Sequence, residues 1–221
     1  MLTYNDMTVC NAHEIFEKCK NSSAEYWGFK EEPLARDEMK KLFAYMKECG
    51  KKTVLEVVCY DEKNSLAGAY VAAECGCDYL MGTVFFDSVN EFCKAHNLKY
   101  LPFVGKLSER PSVLDGDIDD MIAEAKEYIE KGVYGIDLLG YRYNGDASKL
   151  IERFVNEVDA PVCVAGSVNS YERLDEIKKI SPWSFTIGGA FFEKVFGEDF
   201  AEQINTVCDY MAENKEAALV K

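Results

Sequence analysis

The chain has 221 residues, 48% of them hydrophobic, which is enough apolar material for one large domain with a sizeable core. Its formal net charge of −14 argues against a nucleic-acid partner, whose phosphates need a basic face, and against an acidic membrane surface. No apolar run approaches the roughly 20 residues that span a bilayer, and Met1 to Cys10 carries Asp6 but no basic residue. The expectation is a cytoplasmic protein without a secretory signal or a membrane anchor.

In chain order, residues 1–7 read as a short strand and 11–20 as its helix, a first unit filling residues 1–24. The strand patterns that follow are "YWGFK" at 26–30, "VLEVVC" at 54–59, "YLMGTV" at 79–84 and "YLPFVGK" at 100–106. Three more close the series: "YGIDLLG" at 134–140, "VCVAGS" at 162–167 and "SFTIGGAF" at 184–191. Each is nearly continuous in apolar or β-branched residues, as strands covered on both faces are. Amphipathic helical patterns lie at 37–49, 65–75, 118–131, 147–158, 169–180 and 200–214, and residues 215–221 read as a frayed tail.

Boundary signals support this reading. Gly50, Gly76 and Gly132 each follow a helical run, where a left-handed residue is expected, and Asn169 with Glu172 forms a capping-box pattern. Recurring β–α units imply parallel strands joined by right-handed crossovers. Seven clear units plus the N-terminal one make eight. A single-domain (β/α)8 TIM barrel over residues 1–221 is therefore favoured over an open doubly wound sheet. The latter would more readily carry GxGxxG after its first strand, and none is present.

Nine cysteines are scattered along the chain, several inside strand or helix patterns (Cys59, Cys163, Cys19, Cys49, Cys93 and Cys208). The closest pair, Cys75-Gly76-Cys77, falls one residue short of CxxC and has no second pair to complete a zinc site. They read as reduced, structural residues.

Two strand patterns end in small residues, Ala165-Gly166-Ser167 and Gly188-Gly189-Ala190, and both lead into helical patterns. In an eight-stranded barrel these are the ends of strands seven and eight, side by side on the working face. Glycine lets main chain approach a ligand closely, and Ser167 adds a hydroxyl. Gly166, Ser167, Gly188 and Gly189 are thus the candidate phosphate-binding residues. The plainer alternative is that these glycines only bend the chain.

The same residues carry a resemblance. "PVCVAGSVNSYERLDEI" followed by "FTIGGAFF" resembles the last two strands of the ribulose-phosphate-binding barrels. With "YGIDLLGYRYNGD" ahead of it, the layout is similar to the N-acetylmannosamine-6-phosphate 2-epimerases. Gly140-Tyr141, Gly166, Asn169, Gly188 and Ala190 fall on matching positions, and Lys30 in "WGFKEEP" corresponds to a lysine at the end of their second strand. The chain departs from the epimerases at Ala165, where they carry an acidic residue, and at Gly166-Ser167, where they have Gly-Arg. The resemblance implies a barrel that binds a small phosphorylated sugar.

His13 and His96 lie in helical patterns away from strand ends, which removes the Ser-His-Asp and histidine–metal readings. Lysines and carboxylates remain. Lys30 and Lys106 close apolar strands, while Glu56 and Asp137 interrupt them. A carboxylate in an apolar strand is costly unless paired, so a lysine–carboxylate pair converging in the barrel is expected. These four are the candidate catalytic groups, and Arg142 is a candidate substrate ligand. Asp6 and Asp61 are set aside as ordinary loop aspartates, and the sequon Asn21-Ser22-Ser23 has no meaning without secretion.

Three functions fit. The first is a sugar-phosphate isomerase or epimerase in which Lys30 and Glu56 exchange a proton beside a carbonyl. The second is a phosphosugar aldolase or decarboxylase using Lys30 or Lys106. The third is a non-catalytic barrel that binds a phosphometabolite. The sequence requires no cofactor; Glu56 or Asp137 could equally ligate Mg²⁺, and a homo-oligomer stays open.

Overall fold

The computed structural model describes residues 1–213, so the tail expected at 215–221 lies outside the described residues. The chain begins with β1 (Thr3–Tyr4), β2 (Met7–Thr8), α1 (Ala12–Cys19), β3 (Tyr26–Lys30), α2 (Arg36–Glu48) and β4 (Lys52–Cys59). It continues with α3 (Glu62–Glu74), β5 (Tyr79–Val84), α4 (Asp87–Ala95), β6 (Lys99–Phe103), β7 (Lys106–Ser108), β8 (Val113–Asp115) and α5 (Ile118–Glu130). The last third holds β9 (Ile136–Leu138), α6 (Ala147–Glu157), β10 (Val162–Val164), α7 (Tyr171–Ile180), β11 (Ser184–Phe185), α8 (Gly189–Phe192) and α9 (Phe200–Ala212).

Two parallel sheets form the wall, β3-β4-β5-β6 and β9-β10-β11. Three sets of backbone hydrogen bonds join them into a ring. Tyr134 N donates to Tyr100 O at 3.0 Å ahead of β9. The N-terminal segment fills the remaining gap: Met1 N donates to Ile187 O at 2.8 Å and Leu2 N to Gly28 O at 2.7 Å. The segment leading through β1 is therefore the first of eight barrel strands, with β10 and β11 as the seventh and eighth.

The continuous apolar strands are explained by burial on both sides. Outward-facing Phe29, Leu55, Leu80 and Leu138 pack under the helices with Phe16, Phe43 and Phe154, all fully buried. Val54, Tyr79, Met81, Leu101 and Cys163 fill the interior as a separate cluster. At its N-terminal end aromatic rings cluster, Trp183 packing against Tyr26 at 5.3 Å and Tyr134 at 5.7 Å beside a cavity of about 450 Å³.

Helix starts follow side-chain capping. Asp61, Asp117, Asp146 and Asp199 accept amide hydrogens at α3, α5, α6 and α9. At α7 the cap is Ser170, which accepts from Arg173 N, one residue later than the capping box read from Asn169 and Glu172. Asn169 is thereby freed for another role. Gly50, Gly76 and Gly132 take the expected positive φ after α2, α3 and α5.

Two antiparallel hairpins, β1–β2 and β7–β8, were not foreseen. The second corrects the strand read at 100–106. Pairing stops at Phe103, Gly105 turns the chain at φ +75°, and Lys106 begins the hairpin. All nine cysteines are free, and burial pushes the thiols of Cys77 and Cys93 up to about 12. No described helix is long and apolar enough to cross a membrane.

At Gly28 both β4 and the first barrel strand press on β3. A Cβ there would stand 2.5 Å from Val54 O and 2.8 Å from Val54 Cβ. Gly28→Ala is expected to lower unfolding free energy by about 2–3 kcal/mol, read from urea titration.

Candidate functional site

The strand-end lysine is fixed by the first hairpin. Asn5 (φ 49°) and Asp6 (φ 64°) form a two-residue turn with both residues left-handed, the geometry that matches strand twist. Asn and Asp tolerate that region better than most residues. The turn returns β2 alongside β3, where Thr8 Oγ1 donates to Lys30 O at 2.7 Å and accepts from Lys30 N at 2.8 Å. With its backbone clamped on both sides, Lys30 points inward and is only 7% exposed.

Its ammonium is met by two carboxylates. Asp6 Oδ1 accepts directly from Lys30 Nζ, and Glu56 Oε1 stands 3.8 Å away. Glu56 is the register partner of Lys30 on β4, so parallel pairing alone sets these two side by side. Asp6 is the residue that sequence reasoning set aside. The available signal was the "ND" pair six residues into the chain, a hairpin turn able to aim a short carboxylate over the barrel mouth.

Asp137 on β9 lies deeper. It is 2% exposed, and its Oδ1 has no hydrogen-bond partner. Burial, reinforced by the nearby Glu56 charge and only partly opposed by Lys30, pushes its carboxyl well above the usual carboxylate range. Asp137 is thus a buried carboxyl, harder to ionise than usual, beneath a charged cluster.

On the opposite side of the mouth, the ends of β10 and β11 face the same space. Gly166 (φ +87°) and Ser167 (φ +67°) are consecutive left-handed residues. Glycine accepts this freely; for serine it is a sparsely populated conformation of the kind that clusters at functional sites. The amides of Gly166, Ser167, Gly188 and Gly189 have no hydrogen-bond partner among the described residues. Gly188 is required by packing, since a Cβ would stand 2.8 Å from Thr3 O of the first strand. Gly189 is not: a Cβ there would meet nothing nearer than Tyr4 Cδ2 at 3.9 Å.

One cavity of about 280 Å³ joins these groups. Lys30, Glu56, Asp6, Arg142, Gly166, Ser167, Gly188 and Gly189 all line it. Arg142 lies across Gly166, where a Cβ would crowd its Cγ at 2.9 Å, and its Nε reaches Ser167 Oγ at 3.4 Å. Asn169, released from capping, also lines the cavity. Pro111 and Ser112 of the β7–β8 connection form part of the rim, and Ser112 Oγ is hydrogen-bonded to Tyr60 OH at 2.6 Å.

The other two sequence candidates lie elsewhere. Asp137 sits below the cavity rather than on its wall, and Lys106 is exposed on β7, opposite Asp115. Lys106 follows a glycine turn instead of ending a barrel strand, so it is not brought to Lys30. Among the described residues no three His, Cys, Asp or Glu side chains are grouped as a metal site. Lys30 Nζ faces both Asp6 and Glu56.

No protein-family profile matches this chain, and no curated protein matches it in sequence. Solved structures do. A native KDPGal structure superposes with a TM-score of 0.69 at 12% identity, covering 93% of this chain and 90% of its own. The fold is a TIM barrel. Orotidine 5'-phosphate decarboxylase from Pyrococcus horikoshii OT3 gives a TM-score of 0.67 at 13% identity, over 91% of this chain and 93% of its own. The N-acetylmannosamine-6-phosphate 2-epimerase from Clostridium perfringens gives 0.60 at 12% identity, covering 81% and 78%. The barrel read from the sequence, and its likeness to the ribulose-phosphate-binding group, hold at the level of fold.

Asp137 supplies a pH signature. A carboxyl whose folded pKa is raised binds more protons folded than unfolded, so its penalty is absent below the ordinary aspartate pKa of about 3.9 and grows as pH rises above it. Asp137→Asn is expected to raise the melting temperature relative to the parent chain more at pH 8 than at pH 4. Equal shifts at both pH values would contradict a raised Asp137 pKa.

Proposed function

We propose that the protein is an enzyme acting on a small phosphorylated sugar, moving a proton next to its carbonyl as an isomerase or epimerase does. The observation that carries this reading is the pairing, within one cavity, of unpartnered strand-end amides with a lysine held between two carboxylates. The amides of Gly166, Ser167, Gly188 and Gly189, with Arg142, would hold the phosphate. The fold adds support, because TIM barrels frequently bind phosphate at the ends of strands seven and eight.

With the phosphate anchored there, the sugar carbons extend towards Lys30. A carboxylate, Glu56 or Asp6, removes the proton from the carbon beside the carbonyl. The C–H electron pair moves into the C–C bond as the carbonyl oxygen takes up negative charge. The Lys30 ammonium donates to that oxygen and stabilises the enediolate. Protonation of the former carbonyl carbon, with the neighbouring hydroxyl proton passing to the enediolate oxygen, gives isomerisation. Protonation of the original carbon from its opposite face by a second acid gives epimerisation. Burial disfavours a third negative charge on Asp137 beneath the cluster.

The same parts could instead stabilise the carbanion of an aldolase or decarboxylase. An imine-forming amine must be free to attack, however, and Lys30 is engaged by Asp6 and Glu56. Lys106 is exposed and does not line the cavity. This favours proton transfer.

The test is solvent exchange. Triose, pentose and hexose phosphates, including N-acetylated amino-sugar phosphates, would be incubated with the protein in D2O and followed by proton NMR. Loss of one α-proton signal from one of them is expected, with Lys30→Met lowering the rate by at least ~10³-fold. Carbon–carbon cleavage, or a borohydride-reducible adduct on Lys30, would overturn the assignment in favour of a lyase. Binding without exchange or cleavage would leave a phosphometabolite receptor.

A further inference from the structure

Ser167 sits in a left-handed conformation that serine pays for, at φ +67°, and the structure shows what holds it there. Arg173, in the first turn of α7, sends its Nη1 back to the Ser167 carbonyl oxygen. The same Nη1 donates to Asn169 Oδ1 at 2.8 Å. The guanidinium carbon lies 4.7 Å from the Tyr141 ring centre, and Tyr141 OH is tied to the same helix through Arg173 O at 3.2 Å and Glu176 Oε2 at 3.0 Å. Arg173 itself does not line the cavity; both residues it grips do.

The contact to Asn169 has a directional consequence. Guanidinium carries donors only, so the side-chain oxygen of Asn169 must face Arg173 and its amide NH₂ must point away from it. Asn169 is on the cavity wall, and its Nδ2 has no hydrogen bond among the described residues. One arginine thus orients two donors at once, the Ser167 segment and the Asn169 amide.

We propose that Arg173 is a positioning residue that shapes the anion cup from behind, and that the Asn169 NH₂ is a further ligand of the bound anion. This rests on the phosphate-cup reading above. Arg142 and Arg173 then have separate tasks, one at the anion and one behind the loop that presents it. The aromatic stack explains why a long, flexible side chain is held in one orientation before any ligand arrives.

The test uses inorganic phosphate and the full chain, with affinity read by chemical-shift titration and folding by thermal melts. Arg173→Met keeps the packing on Tyr141 but removes the donors; it is expected to weaken phosphate binding about tenfold or more while the chain stays folded. Asn169→Ala is expected to weaken it several-fold, of order three- to tenfold. Glycine adopts positive φ without penalty, so in a Ser167→Gly background the loss caused by Arg173→Met is expected to shrink at least about threefold. Phosphate binding unchanged in folded Arg173→Met, or losses that multiply independently of Ser167→Gly, would overturn the positioning role while leaving the cup intact. A parent chain that takes up no phosphate would overturn the cup itself, and this inference with it.

Discussion

A buried ammonium must be met by charge, and the mouth of this barrel is organised around how that of Lys30 is met. Lys30 is held by Thr8 through both backbone atoms, neutralised by Asp6 from the hairpin above it and approached by Glu56 from the strand beside it. Removing Lys30 from such a cluster would leave two carboxylates uncompensated in a poorly solvated place. The hairpin, the register of β3 on β4 and the closure of the ring by the first strand are therefore parts of one arrangement. The proposed phosphate site takes the other side of that ring: Gly188 is a glycine because the first strand, which carries Asp6 into position, passes 2.8 Å from where a Cβ would be.

The charge pattern follows from this. The whole chain carries −14, yet the proposed anion site offers local donors. Main-chain amides at Gly166 and Gly189 and the guanidinium of Arg142 offer partial or full positive charge within a single cavity. Local preorganised donors can dominate a distant, solvent-screened surface field. The carboxylates that do reach the cavity, Asp6 and Glu56, are neutralised in part by Lys30.

Much of this was legible in the sequence because it is governed by short-range rules. Buried parallel strands read as apolar runs, and left-handed glycines fell after the helices as expected. The adjacency of the two small-residue strand ends followed once eight units were counted. Lys30 and Glu56 stood out as charges inside apolar runs, and parallel register made them neighbours. Asp6 was illegible for the opposite reason: loop aspartates are common, and only the tertiary return of β2 onto β3 gives this one a cation. Lys106 misled because "YLPFVGK" reads as one strand, whereas the chain turns at Gly105 into a hairpin. Arg173 was missed because its work is done across four and six residues of backbone, on oxygens whose positions no periodicity encodes.

The central claim is that strand-end amides and Lys30 share a single anionic ligand. The most direct measurement is a crystal structure of the protein grown or soaked with phosphate or a sugar phosphate. The account predicts phosphate oxygens within hydrogen-bonding distance of the Gly166 and Gly189 amides, with any attached carbon chain running towards the Lys30 ammonium. Phosphate bound away from those amides, or a sugar phosphate whose carbons point away from Lys30, would contradict it.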